Sequence, residues 1–207
     1  MITLQHITDP ARLDEYHRFR HRIYSGSVQA RFLNDECGMD RDAYDDTAVH
    51  LGWYKGGALR GCVRFICPIA GSHPLFCLTH MPAANAASVR ALMDGYIQHG
   101  QPFVEVSRIC IDPAFRDLST VKDFTLATMA MSHVLGLDQA VFTCFRAHMP
   151  FWRRMGFTLL NGTGPFDCTR TGEPSFLMVY RHVELPLAIR EQLPEREALL
   201  RRNEKAA

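Results

Sequence analysis

The middle of the chain reads FVEVSRICIDP at positions 103–113. A near-continuous apolar run of this length is typical of a buried strand, and the Asp-Pro pair that follows it ends the strand. Three polar residues, Glu105, Ser107 and Arg108, interrupt the apolar run. Polar groups are costly to bury without partners, so their presence in such a strand predicts a polar site at this point of the sheet.

Helices and strands alternate on the N-terminal side of this strand. Asp9-Pro10 is a helix start, because aspartate caps a first turn and proline suits the first helical position. Two β-rich runs flank Lys55-Gly56-Gly57, which is typical of a hairpin turn. The predicted elements are a helix from Asp9, strands at 48–54 and 59–66, and a second helix at 83–99.

On the C-terminal side, Thr120-x-x-Asp123 has the form of a capping box and predicts the start of a central helix that Gly136 ends. Beyond it we expect a strand at 140–145, a short helix at 150–155 closed by Gly156, and strands at 157–160 and 176–180. This order of elements predicts a mixed α/β (α+β) fold with three layers, in which helices cover both faces of a mixed central sheet.

The length of 207 residues suits one domain with its own buried core. Residues 1–46 are expected to form the N-terminal helix and a long polar loop, which begins at Ser25, and loops of that length are usually functional. Residues 186–207, rich in Arg, Glu and Leu, are expected to form a C-terminal tail with a solvated helix.

The composition excludes several classes of protein. Lys and Arg total 23 against 22 Asp and Glu, so the net charge of +1 gives no general electrostatic reason to expect nucleic acid as a partner. The seven cysteines are odd in number and form no C-x-x-C pair, which is typical of reduced thiols in a cytoplasmic protein. No stretch is apolar enough for a membrane span or a signal peptide, so we expect a soluble, cytoplasmic protein.

Four short charged motifs follow one another along the first half of the chain. They are RHRIY at 20–24, GMDRDAYD at 38–45, GCVRF at 61–65 and EVSR at 105–108. Aspartates from the second motif could remain buried beside the arginines of the others only as a paired network. The same residues suit an amino acid as ligand, because Arg grips a carboxylate in a fork and Asp can hold an α-ammonium.

Together these motifs resemble the LuxI-type acyl-homoserine-lactone synthases, whose pattern runs R-x-x-x-F, G-x-E-x-D-x-[YF]-D, V/A-R and E-x-S-R. The resemblance covers roughly residues 16–110, and the PFWRRMGF stretch at 150–157 resembles a segment of the wider GNAT N-acyltransferases. It implies a GNAT-like fold and an enzyme of quorum-sensing signal synthesis. Such an enzyme transfers an acyl chain from acyl carrier protein or acyl-CoA to the amine of S-adenosylmethionine, then closes the lactone and releases methylthioadenosine.

The resemblance also implies roles for individual residues. Glu105 would act as base or ammonium holder, beside Ser107 and Arg108 in the catalytic motif. The acyl pocket would lie between the central helix and the strand at 140–145. The residues expected to bind the acceptor are Arg20, Tyr24 (in place of the family's Phe), Phe32, Asp42, Asp45 and Arg64, and those expected to line the acyl pocket are Leu126, Met129, Phe142 and Thr143.

Two departures from the pattern bear on the substrates. The family's Trp, six residues after its Phe, is replaced by Ala30 or Arg31, which weakens the case for S-adenosylmethionine. Tyr24, Phe32 and the Asp-x-Asp-x-x-Asp run also resemble bacterial N-acyl amino acid synthases, which use acyl carrier protein and a free amino acid. The stretch at 115–120 has no glycine for a pyrophosphate loop, and its Asp117 would repel phosphate, which favours a protein as the acyl carrier.

Other functions remain open on the sequence. A GNAT-like domain can bind a ligand without turnover, so a non-catalytic binding module is the alternative from another class. The aspartates at 40–45 do not fit a calcium loop, because Asp45 and Leu51 stand where glycine and glutamate are needed. We expect no metal and no prosthetic group. His50 fits a satisfied core histidine, and Cys110 and Cys144 lack neighbours that would activate a thiol.

Overall fold

A computed structural model describes residues 1–33, 35–67 and 75–204. Eight strands form one sheet in the order β1-β4-β5-β6-β7-β10-β8, with β9 also paired to β10, while β2 and β3 form a separate hairpin. The strands are β1 (Gln5–His6), β2 (Asp35–Glu36), β3 (Met39–Asp40), β4 (Val49–Lys55), β5 (Ala58–Ile66), β6 (Phe103–Ile111), β7 (Gln139–Phe145), β8 (Thr158–Leu159), β9 (Pro165–Asp167) and β10 (Pro174–Arg181).

Helices cover both faces of the sheet. They are α1 (Pro10–Ser25), α2 (Ala83–Gln98), α3 (Leu118–Val134), α4 (Met149–Arg154), α5 (Leu187–Arg190) and α6 (Leu193–Glu204). Alternate strand residues point to opposite faces, so Cys62 and Phe103 pack with α1 and α2, whereas Val104 and Phe142 pack with α3 and α6. None of the described helices is both long and apolar enough to cross a membrane. The chain therefore has the mixed three-layer α/β fold that the order of elements predicts.

The N-terminal start of α1 is as predicted, with Asp9 accepting from the backbone N–H of Arg12. The predicted start of the central helix is wrong. α3 begins at Leu118, and Asp117 is its N-cap, because its carboxylate accepts from the backbone N–H of Thr120. Asp123 lies inside the helix and instead accepts the N–H of Ile2 at 2.6 Å.

Two regions are more structured than the sequence predicts. The loop from Ser25 to Asp46 contains 3-10 helices at 28–32 and 43–46 and the β2–β3 hairpin. The C-terminal tail is not a solvated helix, because α6 packs along α3 and buries Leu193 and Leu200. Burial of even two leucines stabilises such a contact by about 3–6 kcal/mol before entropy is counted.

The sheet opens between its two central strands, and this opening positions the site. β6 and β7 are parallel and pair only from Phe103–Glu105 to Gln139–Val141. Among the described residues, β6 then continues beside β5 alone and β7 beside β10 alone. A β-bulge lies on β6 at this point, since Arg108 and Ile109 together oppose the single residue Val63 of β5. Bulges bend a strand, which is a local cause for the divergence of β6 from β7.

Candidate active site

A cavity of about 450 Å³ fills the opening between β6 and β7. Its polar wall is formed by Glu105, Ser107 and Arg108 of β6, and residues 142–145 of β7 form the opposite wall. The end of α1, the first turns of α3 and a 3-10 helix at 76–80 close the other sides. The opening of the sheet thus gives the chain one chamber with a charged wall and an apolar wall.

Three arginines and three aspartates form a buried Arg–Asp cluster beside this cavity. Arg20, fully buried, binds Asp40 through Nε at 2.8 Å and Asp45 through Nη1 at 2.6 Å. Arg64, also fully buried, binds Asp42 at 2.6 Å and lies 3.0 Å from Asp45. With Arg108 as the sixth member, the cluster balances three positive and three negative charges. Such a balance is what allows ionised groups to stay out of water.

Arg108 connects the Arg–Asp cluster to the cavity. Its Nη2 donates to the carbonyl oxygen of Phe32 at 3.0 Å and to Asp40 and Asp42 at 3.2 and 3.3 Å. Its backbone φ is +53°, a left-handed conformation that costs a non-glycine residue about 1–3 kcal/mol. The ion pairs of its side chain hold this strained residue in place, at the bulge where the sheet opens.

Local turns bring the aspartates of the cluster together. Cys37 and Gly38 both have positive φ, at 56° and 74°, which gives the β2–β3 hairpin its tight two-residue turn. Asp42 then caps the 3-10 helix at 43–46 by accepting from the N–H of Tyr44, and Asp45 accepts from the N–H of Asp42 at 2.8 Å. The Asp-x-x-Asp spacing therefore folds on itself before any arginine is added.

The cluster keeps Asp45 ionised. Burial by itself would raise the pKa of Asp45, but the charges of Arg20 and Arg64 outweigh burial and hold that pKa well below its usual range. Two histidines pack nearby and stay neutral. Burial, followed by the charge of Arg20, lowers the pKa of His17 to about 4, and burial also lowers the pKa of His50. His50 Nε2 lies 2.9 Å from the carbonyl oxygen of Asp45, which is a structural contact.

Glu105 has a different environment from the aspartates. Its two carboxylate oxygens accept the backbone N–H groups of Phe76 and Cys77, each at 2.7 Å. Burial raises its pKa to about 7, even though these donors and the charge of Arg64 act in the opposite direction. A carboxyl group with a pKa near neutrality can take up and release a proton under physiological conditions. Glu105 is thus fixed in position and titrates in the working range of an enzyme.

The remaining predicted polar residues lie around the same cavity. Ser107 accepts from Arg64 Nε at 3.0 Å, which leaves its own hydroxyl proton available to a ligand. Tyr24 donates to the carbonyl oxygen of Ile109 at 3.1 Å, and Phe32 packs its ring edge-on against His80, 5.3 Å away between centroids. The structure therefore places Tyr24, Phe32, Glu105, Ser107 and Arg108 in the cavity wall, with Arg20, Asp42, Asp45 and Arg64 in the cluster behind it.

His80 and Phe76 are cavity residues that the sequence does not reveal. Both belong to the 3-10 helix whose first N–H groups bind Glu105. Burial, followed by the charges of Arg170 and Arg108, lowers the pKa of His80 to about 4, so its ring is neutral. The Phe76 ring lies under the guanidinium of Arg108, 4.8 Å from its centroid. No periodicity marks this segment, and contacts with Glu105, Arg108 and Phe32 connect it to the site.

The apolar wall agrees only in part with the predicted acyl pocket. Phe142 and Thr143 line the cavity, and Met129 lines a smaller space of about 20 Å³ next to it. Leu126 lines neither space, because it points from α3 into the main core. Trp152 of α4 packs on Phe142, with ring centroids 4.6 Å apart, and closes the far end. The neighbouring residue Thr125 lines the cavity in place of Leu126. The predicted lining of α3 is therefore displaced by one residue.

The start of α3 does not offer a free anion site. Asp117 accepts both the backbone N–H and the hydroxyl of Thr120, at 2.9 and 2.6 Å, so its negative charge occupies the helix N-terminus. Arg116 lines the cavity close by and donates to the carbonyl oxygen of Ile111 at 2.8 Å. A nucleotide pyrophosphate would meet a carboxylate at the position where helix N–H groups usually bind phosphate.

The three-layer fold, the opened sheet and the cavity with a buried acid define the class of the protein as a GNAT-like N-acyltransferase. Comparison with known families then identifies the group within this class. The model of the family described as N-acyl amino acid synthase FeeM matches residues 15–181, and the chain belongs to that family. It is an acyltransferase. No curated protein matches the sequence significantly.

Solved structures with the same fold include synthases of two kinds. FeeM, an N-acyl amino acid synthase from uncultured soil microbes, is 13% identical over 91% of this chain and 97% of its own, with a TM-score of 0.65. BjaI, a CoA-dependent acyl-homoserine lactone synthase solved with SAM and isopentyl-CoA, is 17% identical over 96% and 90%, with a TM-score of 0.66. An acyl-CoA N-acyltransferase from Pseudomonas aeruginosa is 14% identical over 86% and 97%, at 0.52. These likenesses confirm the predicted GNAT-like fold.

Proposed function

We propose that the protein is an N-acyl amino acid synthase, which joins an acyl chain from acyl carrier protein to the α-amine of a free amino acid. The observation that carries this proposal is Glu105, a buried carboxyl group with a raised pKa at the polar end of the cavity. Membership of the FeeM family supports a free amino acid as the acceptor. The position at which the lactone synthases have Trp is Ala30 or Arg31 here, and this difference also favours a free amino acid as the acceptor.

The amine of the acceptor would lie near Glu105. An α-ammonium is attracted by this carboxylate, and the neutral ring of His80 adds no competing positive charge. The α-carboxylate would face Arg108 and the Ser107 hydroxyl on the same wall, since both line the cavity. The Arg–Asp cluster acts indirectly in this arrangement, by holding Arg108 in its strained position.

The reaction needs one proton acceptor and one oxyanion site. Glu105 takes a proton from the ammonium, and the free amine attacks the thioester carbonyl to form the new C–N bond. Collapse of the tetrahedral intermediate breaks the C–S bond. The second amine proton is lost, the departing thiolate takes one proton through Glu105, and one proton leaves to solvent. The oxyanion would lie where β6 and β7 diverge, just past their last pair of Glu105 and Val141, and backbone N–H groups there would stabilise it.

Acyl carrier protein is favoured over acyl-CoA as the donor. A carrier protein presents its phosphopantetheine arm without an adenine nucleotide, so it needs no pyrophosphate site at α3, where Asp117 lies. We expect kcat/KM for an acyl-carrier thioester to exceed that for the matching acyl-CoA by at least about tenfold. The reason is that the pyrophosphate of CoA would lie near the carboxylate of Asp117, and such a contact between like charges costs about 1 kcal/mol or more. Equal values for the two donors would contradict this choice.

A second candidate function is synthesis of an acyl-homoserine lactone from S-adenosylmethionine. The observation that favours it is the match of the Arg–Asp cluster and the E-x-S-R motif at 105–108 to the lactone synthases. In that reaction the acylated carboxylate displaces methylthioadenosine from the sulfonium, a step that depends mainly on positioning. The acyl donor and the first chemical step are the same for both acceptors.

One experiment separates the candidates. The purified protein is incubated with acyl-carrier thioesters of several chain lengths and with either the twenty amino acids or S-adenosylmethionine, and the products are identified by mass spectrometry. We expect an N-acyl amino acid. Methylthioadenosine and a lactone would overturn the choice of acceptor in favour of the second candidate. Absence of any acyl product, with every chain length and both acceptors, would contradict catalysis by this site and leave a binding module.

A further inference from the structure

Two histidines and a glutamate converge far from the cavity, at the C-terminal end of α3. His133 lies in the last turn of α3, His182 follows β10 directly, and Glu197 lies on α6. Their possible metal-ligating atoms all lie within 4.8 Å of one another. None of the three lines the cavity. The acyl transfer described above does not require this cluster.

The arrangement of His133 resembles that of a metal ligand. Its Nδ1 atom is 2.9 Å from Glu197 Oε1, and its Nε2 atom is 3.4 Å from Asp138 Oδ1. A ligating histidine commonly directs one ring nitrogen to the metal and the other to a carboxylate that fixes its orientation. The Nδ1 atom of His182 is buried and has no hydrogen-bond partner in the part of the chain that the structure describes. This unpaired ring nitrogen lies close to the contact between His133 Nδ1 and Glu197 Oε1, so three potential ligand atoms converge.

We propose that His133, His182 and Glu197 bind a divalent transition-metal ion, with Zn²⁺ as the best match, and that the ion fastens α6 to α3 and to the end of β10. Two imidazoles and one carboxylate are a ligand set that zinc accepts, with water in the fourth position. Asp138 is the outer partner of His133. The role is structural, because the three ligands come from elements separated in sequence and meet only in the folded chain.

Metal binding requires a small rearrangement of the two rings. The rings stack nearly parallel, with centroids 3.8 Å apart and an angle of 13° between their planes. Lone pairs in parallel rings do not point at a common ion, so one ring has to turn about its side-chain torsions. Tetrahedral zinc with bonds of about 2.0–2.1 Å needs ligand atoms about 3.3 Å apart, within reach of such a turn. Both rings are half-buried, and 32% of the His133 side chain is exposed, which leaves room for this turn.

A second group of potential metal ligands lies in the protein but is less suited to a cation. His17, Asp45 and His50 also lie close together and are buried. Asp45, however, already binds Arg20 and lies 3.0 Å from Arg64, so a cation there would meet two positive charges. At the His133 cluster the nearest charged partners of the ring are the carboxylates of Glu197 and Asp138.

Zinc titration of the full-length, chelator-treated protein tests the proposal. We expect one Zn²⁺ per chain by calorimetry and a higher melting temperature with zinc than without it. His182→Asn and Glu197→Gln should each weaken binding by more than about tenfold, and Asp138→Asn by about tenfold as the loss of an outer partner. His6→Asn, at an exposed histidine outside the cluster, is the matched control and should bind as the wild type does.

Two further readouts keep the test decisive. Cobalt(II) should show ligand-field bands without thiolate charge transfer, which separates this site from binding by the exposed thiol of Cys37. Acyl transfer by His182→Asn and Glu197→Gln should stay at the wild-type rate, which shows that both variants fold. Wild-type zinc affinity in both variants, or no zinc binding by the parent protein, would overturn the proposal. The cluster would then be a set of polar contacts in which the His133 ring lies between the carboxylates of Glu197 and Asp138.

Discussion

Two buried acidic regions adjoin the same strand and have opposite electrostatic behaviour. In the Arg–Asp cluster, each aspartate faces at least one guanidinium, and the pKa of Asp45 is held well below its usual range. Glu105, on β6 like Arg108, accepts the backbone N–H groups of Phe76 and Cys77, and burial raises its pKa to about 7. Both regions exclude water, so the difference arises from their partners.

The comparison indicates a division of labour. Fully paired charges cannot exchange protons near neutral pH, and breaking a pair leaves a costly unpaired ion, so the cluster acts as a framework. A carboxyl group that lacks a full countercharge titrates where an enzyme works, so Glu105 is suited to proton transfer. Substitutions in the two regions should therefore change different properties, the cluster mainly stability and Glu105 mainly the rate.

The largest effect is expected for Glu105→Gln, which removes the proton acceptor. We expect kcat to fall by about 10²- to 10⁴-fold, the usual contribution of general acid–base catalysis. The amide can still accept from one backbone N–H, so the free energy of unfolding should fall by only about 1–3 kcal/mol. Steady-state rates and urea unfolding measure both quantities, with the exposed Glu173→Gln as control. Retention of the wild-type kcat in a folded Glu105→Gln protein would exclude the proposed role.

Asp45→Asn should have the largest effect on stability. It leaves Arg20 and Arg64 buried with fewer countercharges, and loss of one partner in a buried ion pair costs about 3–5 kcal/mol. The neighbouring Asp46 pairs with Arg41 at the exposed surface, and Asp46→Asn should change the unfolding free energy by less than about 0.5 kcal/mol. Urea unfolding of the two variants provides the comparison. Similar losses in both would show that the cluster is not a framework.

As the pH falls, Glu105 should take up its proton near neutrality, whereas the cluster should weaken only below a pH of about 4. A group whose pKa is lower in the folded state stabilises the fold above its unfolded pKa, and the stabilisation is lost as pH falls through the folded value. For Asp45 this window lies below a pH of about 4, and the loss should reach about 2 kcal/mol or more. Glu105 has the opposite sign, since a raised pKa lets stability fall as pH rises from about 4.5 to 7. Urea unfolding should show that the unfolding free energy falls less at low pH in Asp45→Asn than in the wild type.

The smallest predicted effect concerns the apolar wall. Thr143→Leu places extra methyl groups in the cavity and should shift the preferred acyl chain to a shorter one. One methylene in an apolar pocket is worth about 1–3 kcal/mol, so the ratio of kcat/KM between adjacent chain lengths should change by about tenfold. Leu126→Met, which lies outside the cavity, is the control and should leave that ratio unchanged. An unchanged preference in Thr143→Leu would place the acyl chain elsewhere.

The charged half of the site could be predicted from the sequence because its residues must balance one another. Arg20, Asp42, Asp45, Arg64 and Arg108 lie in four separate motifs, and burial of any one requires the others. The mixed three-layer fold was predictable for a similar reason, as the order of periodic elements leaves few alternatives.

The remaining features depend on contacts between distant parts of the chain. His80 and Phe76 join the site because Glu105 accepts the backbone N–H groups at the start of their 3-10 helix, which lie 29 and 28 residues before it in the sequence. Asp117 and Thr120 are both good capping residues. In the structure Asp117 caps α3, whereas Asp123, the partner that a capping box at Thr120 would need, accepts the backbone N–H of Ile2. Which residues of α3 line the cavity depends on how the helix is rotated about its axis. The helix is buried on most sides, so its sequence gives only a weak periodic signal for that rotation.

The pH dependence of kcat/KM is the most direct test of the proposal that Glu105 accepts the amine proton. With the acceptor that supports turnover, the logarithm of kcat/KM should rise with a slope of one at low pH and level off above a pH of about 7, where Glu105 is ionised. Glu105→Gln should lose this bend. If wild-type kcat/KM instead rises without a break up to the higher pKa of the free amine, the enzyme selects an amine that is already neutral, and Glu105 only holds the 3-10 helix in place.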